Sequence, residues 1–289
     1  MAMSGNRRHR PRRQVFGWLL AACSIPLYWG CVLPVNVPVA PGVKRQKSVI
    51  YTPPSWPTPL TADVFHRPGG SPAPAVLLIH GGSWKANGAR WSMDGIARKL
   101  AARGYVVVNV TYRGAPDYRY PAPVEDLREA IRWMRRNAGT YGIDPRRIAT
   151  YGFSAGGHLA AQVALRDDNP EKVMAIVAGS APFDLTLYPG GDIVPEFLGG
   201  TRDKIPGLFR EASPVNHVTR SSPPIFIYQG TDDDLVQPEH AIRMQAAYRR
   251  VGMDPEIHWM PGRSHVDGFL LPGGRVDEAI DFLDATMKR

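Results

Sequence analysis

The chain has 289 residues, 44% of them hydrophobic and 21% charged, with a formal net charge of +9. These proportions mark a globular protein long enough for one α/β domain with a full core, and they do not require a second domain. The basic excess is no nucleic-acid signature: Arg7, Arg8, Arg10, Arg12 and Arg13 supply five of those charges ahead of the first periodic segment, and the remainder is unremarkable.

The N-terminus reads as an export signal or membrane anchor, because the basic Arg7 to Arg13 stretch precedes the apolar run Val15 to Ala22. Three fates are open to it. Leu20-Ala21-Ala22-Cys23 resembles a bacterial lipobox, in which cleavage precedes a lipidated cysteine. Val15 to Val35 is about 21 mostly apolar residues, long enough to cross a bilayer. Cleavage elsewhere would release a periplasmic or secreted protein. Arg12-Arg13-Gln14-Val15-Phe16 also resembles a twin-arginine export signal, and each of these fates places the remainder outside the cytoplasm. Residues 1–35 are therefore assigned to the signal or anchor, 36–46 to a linker and 47–289 to the folded domain. Both cysteines, Cys23 and Cys31, fall in the first segment, so the domain has neither a disulfide nor a cysteine metal site.

Dense prolines between Pro34 and Pro74 exclude helix and favour extended linker with edge strands at Ser48 to Thr52 and Thr61 to Phe65. Ala75 to Ile79 is a continuous apolar run, as in a strand buried on both faces of a parallel sheet. A helix around Trp91 to Arg103 ends at Gly104, and the strand Tyr105 to Thr111 follows. Val124, Leu127, Ile131 and Met134 recur at three- and four-residue steps in a proline-started helix from Pro123. A strand around Ile148 comes next, then a helix from Ala155 to Arg166, then strands at Val173 to Val177, Pro224 to Tyr228 and Glu256 to Met260. Helices fit at Pro238 to Val251 and Gly274 to Lys288. Strand and helix alternate, which predicts an α/β fold with a mostly parallel, doubly wound sheet of about eight strands and crossover helices. Pro182 to Thr219 interrupts the alternation with glycine, proline and aromatics, as an irregular lid or pocket wall does.

Gly152-Phe153-Ser154-Ala155-Gly156 joins the Ile148 strand to its helix and fits the G-x-S-x-G nucleophile elbow. A serine on so sharp a turn needs neighbours without side chains, and at a helix start it meets free N–H groups that favour a developing oxyanion. A nucleophilic serine on this architecture needs an acid and then a histidine downstream. Asp232, Asp233 and Asp234 follow a buried strand, and local pattern does not choose among them. Of the later histidines, His217 precedes the acid, His240 starts a helix and His258 lies within a strand, whereas His265 sits in the loop after the last strand, free to reach over Ser154. His80-Gly81-Gly82-Ser83-Trp84 closes the Ala75 strand with glycines suited to aiming backbone donors at one point. His80 and His158 read as structural braces.

Together these motifs resemble the α/β-hydrolase superfamily, near the hormone-sensitive-lipase-like and feruloyl or acetyl-xylan esterase-like carboxylesterases, over about residues 46–289. Tyr120 to Asp126 and Ala212 to Val218 also resemble segments of these families. The resemblance implies an α/β-hydrolase fold with a small lid-like insertion, Asp233 as the acid, and Gly82, Ser83 and Ala155 as oxyanion donors, with Gly81 a neighbour. It also implies a small-molecule ester substrate, with no cofactor, metal or nucleic-acid partner. Ser83 stands where many relatives have a third glycine. The expected enzyme is a serine hydrolase of carboxylic esters through Ser154, His265 and Asp233. An arylformamidase or small-amide hydrolase shares the His-Gly-Gly-x-Trp form and is the first alternative. A silent envelope-anchored binding protein on the same fold is the second, although no member of the triad is missing.

Overall fold

The computed structural model describes residues 37–85, 89–166, 168 and 170–288. The N-terminal segment with Cys23 and Cys31, and the fates read for it, lie outside these residues. Among the described residues no helix is long and apolar enough to cross a membrane.

The chain runs β1 (Lys44–Ile50), β2 (Thr61–His66), β3 (Ala73–Ile79), α1 (Asp94–Ala102), β4 (Val106–Val110), α2 (Ala122–Arg136), the single turn α3 (Ala138–Tyr141), β5 (Ile143–Phe153) and α4 (Ala155–Leu165). It continues through β6 (Ala175–Gly179), α5 (Ile193–Leu198), α6 (Pro206–Glu211), β7 (Ile225–Gly230), α7 (Glu239–Arg250), β8 (Ile257–Met260), α8 (His265–Leu270) and α9 (Arg275–Met287). The eight strands form one sheet in the order β1-β2-β4-β3-β5-β6-β7-β8. Pairing is antiparallel for β1 with β2 and β2 with β4, and parallel from β4 onward. The central strands are covered on both faces, which is why they read as unbroken apolar runs.

Alternation of side chains along those strands feeds two layers. Val76, Leu78, Val107 and Val177 pack with Ile96 and Leu100 of α1 and Ile280 and Leu283 of α9. Leu77, Ile79, Val108 and Val110 face the other way, onto α2 and α4. Farther along that second face, Ile176, Ala178 and Ile227 pack against α4 and against Met244 and Tyr248 of α7. Every residue of α4 is buried. The helix behind Ser154 is therefore held in the centre of the molecule.

Two segments depart in character from expectation. The first strand begins at Lys44, inside the stretch assigned to the linker, and is mostly exposed. Its Arg45 pairs with Asp63 at 2.7 Å and with Asp94, so ion pairs rather than apolar periodicity tie down this edge. The segment Pro182 to Thr219, expected to be irregular, holds α5, α6 and two short 3₁₀ turns. Phe183, Leu185, Phe197 and Phe209 from it are buried, so it is a packed layer.

Asp126, fully buried near the start of α2, accepts from Arg113 N and Nε at 2.8 Å and from Trp56 Nε1 at 2.7 Å. One carboxylate thus joins α2, the β4–α2 connection and the proline-rich turn before β2. Asp126→Ala leaves the buried Arg113 guanidinium without its main partner and should cost about 3–5 kcal/mol in urea unfolding. A loss under about 1 kcal/mol, the scale of an exposed ion pair, would contradict that role.

Candidate active site

Ser154 sits between β5 and α4 with φ 56° and ψ −128°, a left-handed conformation that costs a non-glycine residue roughly 1–3 kcal/mol. Its surroundings leave no other choice. A Cβ on Gly152 would lie 2.1 Å from the Gly156 carbonyl oxygen, and one on Gly156 would lie 2.2 Å from the Ile79 carbonyl oxygen. Backbone therefore packs on backbone across the elbow, and Ser154 N donates to the Gly179 carbonyl at 2.8 Å.

The Ser154 Oγ lies 2.9 Å from His265 Nε2, and His265 Nδ1 lies 2.7 Å from Asp233 Oδ2. Asp233 is 1% exposed, while Asp232 and Asp234 are exposed. The other Asp233 oxygen accepts from Val236 N at 2.7 Å and Leu235 N at 3.1 Å, and Gln229 Nε2 reaches Oδ2 at 3.3 Å. A buried carboxylate with this many donors is compensated for leaving water and is fixed in direction.

His265 is not on a free loop. It is the first residue of α8, whose N-cap Ser264 accepts from Asp267 N and donates to Asp267 Oδ2 at 2.6 Å. Ser-x-x-Asp is a capping signal legible in the sequence, but six residues of helix are too few to show periodicity. The remaining histidines lie elsewhere. His217 Nε2 pairs with the Glu211 carbonyl, His240 Nδ1 accepts from Asp184 N, and His258 stacks on Phe226 and pairs with Glu278.

The loop after β3 comes up against the elbow from the other side. A Cβ on Gly81 would stand 2.9 Å from the Phe153 carbonyl oxygen. Gly82, Ser83 and Trp84 all have positive φ, at 111°, 55° and 58°. Gly82, Ser83 and Ala155 each line one or both of two cavities that meet at Ser154, and Ala155 N is among the donors that a helix start leaves unpaired.

A buried clamp holds that loop. Trp84 Nε1 donates to His158 Nδ1 at 3.0 Å, His158 Nε2 donates to the Ala212 carbonyl at 2.7 Å, and the Trp84 ring stacks on Phe197 at 4.5 Å. Burial pushes the His158 pKa down to about 4, so the ring is neutral and can accept from the indole. His80 is likewise buried, with its pKa pushed down to about 4; it donates from Nδ1 to the Gly81 carbonyl and stacks on Tyr112. Both act as braces. Among the described residues, no group of three or more histidine, cysteine or acidic side chains is placed to hold a metal ion.

The model of the family described as BD-FAE matches residues 63–248. The chain belongs to the BD-FAE family. The match takes in Ser154 and Asp233 and stops short of His265. Esterase LipC of Mycobacterium tuberculosis is 34% identical over 71% of this chain and 55% of its own length. Esterase LipQ of the same organism is 32% identical over 66% and 50%. The chain thus spans about half the length of these curated relatives. A truncated carbohydrate esterase from gut microbiota superposes with a TM-score of 0.76 at 23% identity, covering 85% of this chain and 97% of that one, which shows the α/β-hydrolase fold.

Buried histidines give this architecture a pH signature. His80, His158 and His240 all have folded pKa values pushed down to about 4 by burial, against 6.5 in the unfolded chain. Their contribution to stability is fully present above about pH 6.5 and is lost as pH falls toward 4, by up to about 1.4 kcal/mol per pH unit each. Denaturant melts from pH 7 to 4 should show this decline, and His240→Gln, which keeps an acceptor for Asp184 N, should reduce proton uptake on unfolding by about one. An unchanged slope near pH 5.5 in that variant would contradict the assignment.

Proposed function

We propose that this member of the BD-FAE family is a serine hydrolase of carboxylic esters, with Ser154 as nucleophile, His265 as general base and acid, and Asp233 as the orienting acid. The observation that carries the reading is the continuous hydrogen-bonded relay from the strained Ser154 Oγ through His265 to the buried Asp233. Ser154 Oγ attacks the acyl carbon while His265 Nε2 takes its proton. Negative charge develops on the carbonyl oxygen, and the backbone N–H groups of Gly82, Ser83 and Ala155 are the donors we assign to it. Each such donor lowers the barrier by roughly 3 kcal/mol. The imidazolium, stabilised by Asp233, then protonates the departing alkoxide. Water, deprotonated by the same imidazole, attacks the acyl-enzyme, and the carboxylic acid leaves.

The esterase names of LipC and LipQ support ester cleavage. The His80-Gly81-Gly82-Ser83-Trp84 form keeps formamide cleavage by the same groups as a second reading. For the N-terminus we propose a lipid anchor at Cys23, with the chain from Ser24 up to the start of β1 at Lys44 as tether. Several acyl chains at about 0.8 kcal/mol per buried methylene hold a protein on a membrane durably. Mass spectrometry of protein from host membranes should find Cys23 acylated at the mature N-terminus, whereas a peptide from Met1 or Ala2 with Cys23 unmodified would rule this out.

Ester turnover should be abolished by Ser154→Ala. Asp233→Asn should cost up to roughly 10⁴ in rate by leaving the imidazole in the wrong tautomer or orientation, while Asp232→Asn and Asp234→Asn stay within about tenfold. Initial rates on a series of acetyl, butyryl, octanoyl, feruloyl and formamide substrates measure both the roles and the ester preference. Retained turnover in Ser154→Ala, or faster cleavage of N-formylkynurenine than of any ester, would overturn the assignment.

A further inference from the structure

Two cavities meet at Ser154, and they differ in what walls them. One, of about 260 Å³, is closed by Trp84, Pro182, Tyr188, Ile193, Val194 and Val236, much of it from the packed 182–219 layer. The other, of about 330 Å³, is lined by Phe153, Leu235, Val266, Phe269, Leu270 and His265. Only the second of these two has His265 in its wall.

That difference orients the substrate, given the ester reading on which this inference rests. When the tetrahedral intermediate collapses, the bond from the acyl carbon to the alcohol oxygen breaks, its electron pair stays on that oxygen, and the proton on His265 Nε2 passes to it. The departing oxygen must therefore lie within reach of His265, with the rest of the alcohol in the second cavity. The acyl group is left to the first.

The geometry assigns the alcohol a character. Helix α8 does two things at once, presenting His265 at its first position and Val266, Phe269 and Leu270 along the cavity wall. Phe153 and Phe269 lie with ring centroids 5.0 Å apart beneath it. Among the described residues, no Asp, Glu, Lys or Arg side chain borders this cavity, and its polar side chains beyond His265 are the hydroxyls of Ser83, Ser92 and Ser154. A sugar or polyol brings several hydroxyls that need directional partners when they leave water, and this wall offers few. An apolar alcohol needs none. The mouth continues the same chemistry: Val266, Leu270 and Leu235 are large apolar side chains 62%, 46% and 47% exposed. Clustered exposed apolar side chains at a cavity mouth mark a binding surface rather than chance.

We infer that the substrates are esters of bulky apolar alcohols, aryl-substituted or branched alkyl, and that Phe269 and Leu270 determine this specificity.

The test holds the acyl group constant and uses the full chain, comparing kcat/KM for methyl acetate, benzyl acetate and a methyl 2-O-acetyl-xyloside. Sugar hydroxyls are better leaving groups than benzyl alcohol, so intrinsic reactivity runs against the expected order. Benzyl acetate should exceed both others by at least about tenfold, the scale of filling an apolar pocket. Phe269→Ala and Leu270→Asp should each lower the benzyl-to-methyl ratio several-fold. The ratio cancels any loss of folded enzyme, and Leu270, at the surface, covers the case in which Phe269→Ala does not fold. Cleavage of the xyloside as fast as benzyl acetate, or a ratio moved by neither variant, overturns the inference while the ester reading stands. Failure to cleave esters of any of the three alcohols, whether the constant acyl group is acetyl, butyryl or octanoyl, overturns both.

Discussion

The constraint on which the rest depends is the contact of backbone with backbone at the elbow. Gly152 and Gly156 touch at a distance that no methyl group could share, and Gly156 also lies against the carbonyl ends of Ile79 and His80. The turn therefore joins three pieces of chain at once: the end of β5, the start of α4 and the end of β3. Holding Ser154 at φ 56° costs free energy locally, and the surrounding parallel sheet and fully buried α4 offset it. A side chain on that turn projects over the carboxyl edge of the sheet, where the connections after β3, β7 and β8 also emerge. The other chemical groups arrive there by topology: Gly82 and Ser83 after β3, Asp233 after β7 and His265 after β8. Ligand sites in open α/β sheets gather at that edge for the same reason.

Rigidity of the site comes from polar groups that burial makes costly to release. Asp233 is held by Val236 N, Leu235 N and Gln229, so the carboxylate that faces His265 has little freedom to turn away. His158 does the equivalent for the loop after β3, linking Trp84 to α4 and to the Ala212 carbonyl at the far end of the 182–219 layer. Because Ser83 and Trp84 both stand at positive φ without being glycine, that loop needs an external hold, and the indole supplies it. The layer that walls one cavity, the loop with the assigned oxyanion donors and helix α4 are thus connected through one neutral imidazole.

Much of the fold was legible in the sequence because its central strands are buried on both faces and read as apolar runs separated by amphipathic helices. What was misread lies where that signal fails. The edge strand β1 is polar and held by Arg45, so its first residues pass for linker. Helices α5, α6 and α8 have six residues each, too few turns to display a period. Ser154 and His265 stand out by motif and by order along the chain, but Asp233 differs from its two neighbours only in being buried, a tertiary property with no local mark. The pairing of Trp84 with His158, 74 residues apart, belongs to the same class. So does the apolar character of the His265-side cavity, assembled from β5, the β7 turn and a helix that periodicity does not reveal.

The central claim is that Ser154 is the activated nucleophile, and covalent trapping tests it most directly. A fluorophosphonate reacts with a serine hydroxyl activated by a neighbouring base and leaves a stable adduct at the attacking oxygen. Incubated with the full chain and followed by peptide mass spectrometry, it should add one phosphonyl group per chain, on the peptide containing Ser154, with loss of esterase activity in step with labelling. Label on another serine such as Ser83, or full ester turnover in a chain whose Ser154 is entirely modified, would contradict the account.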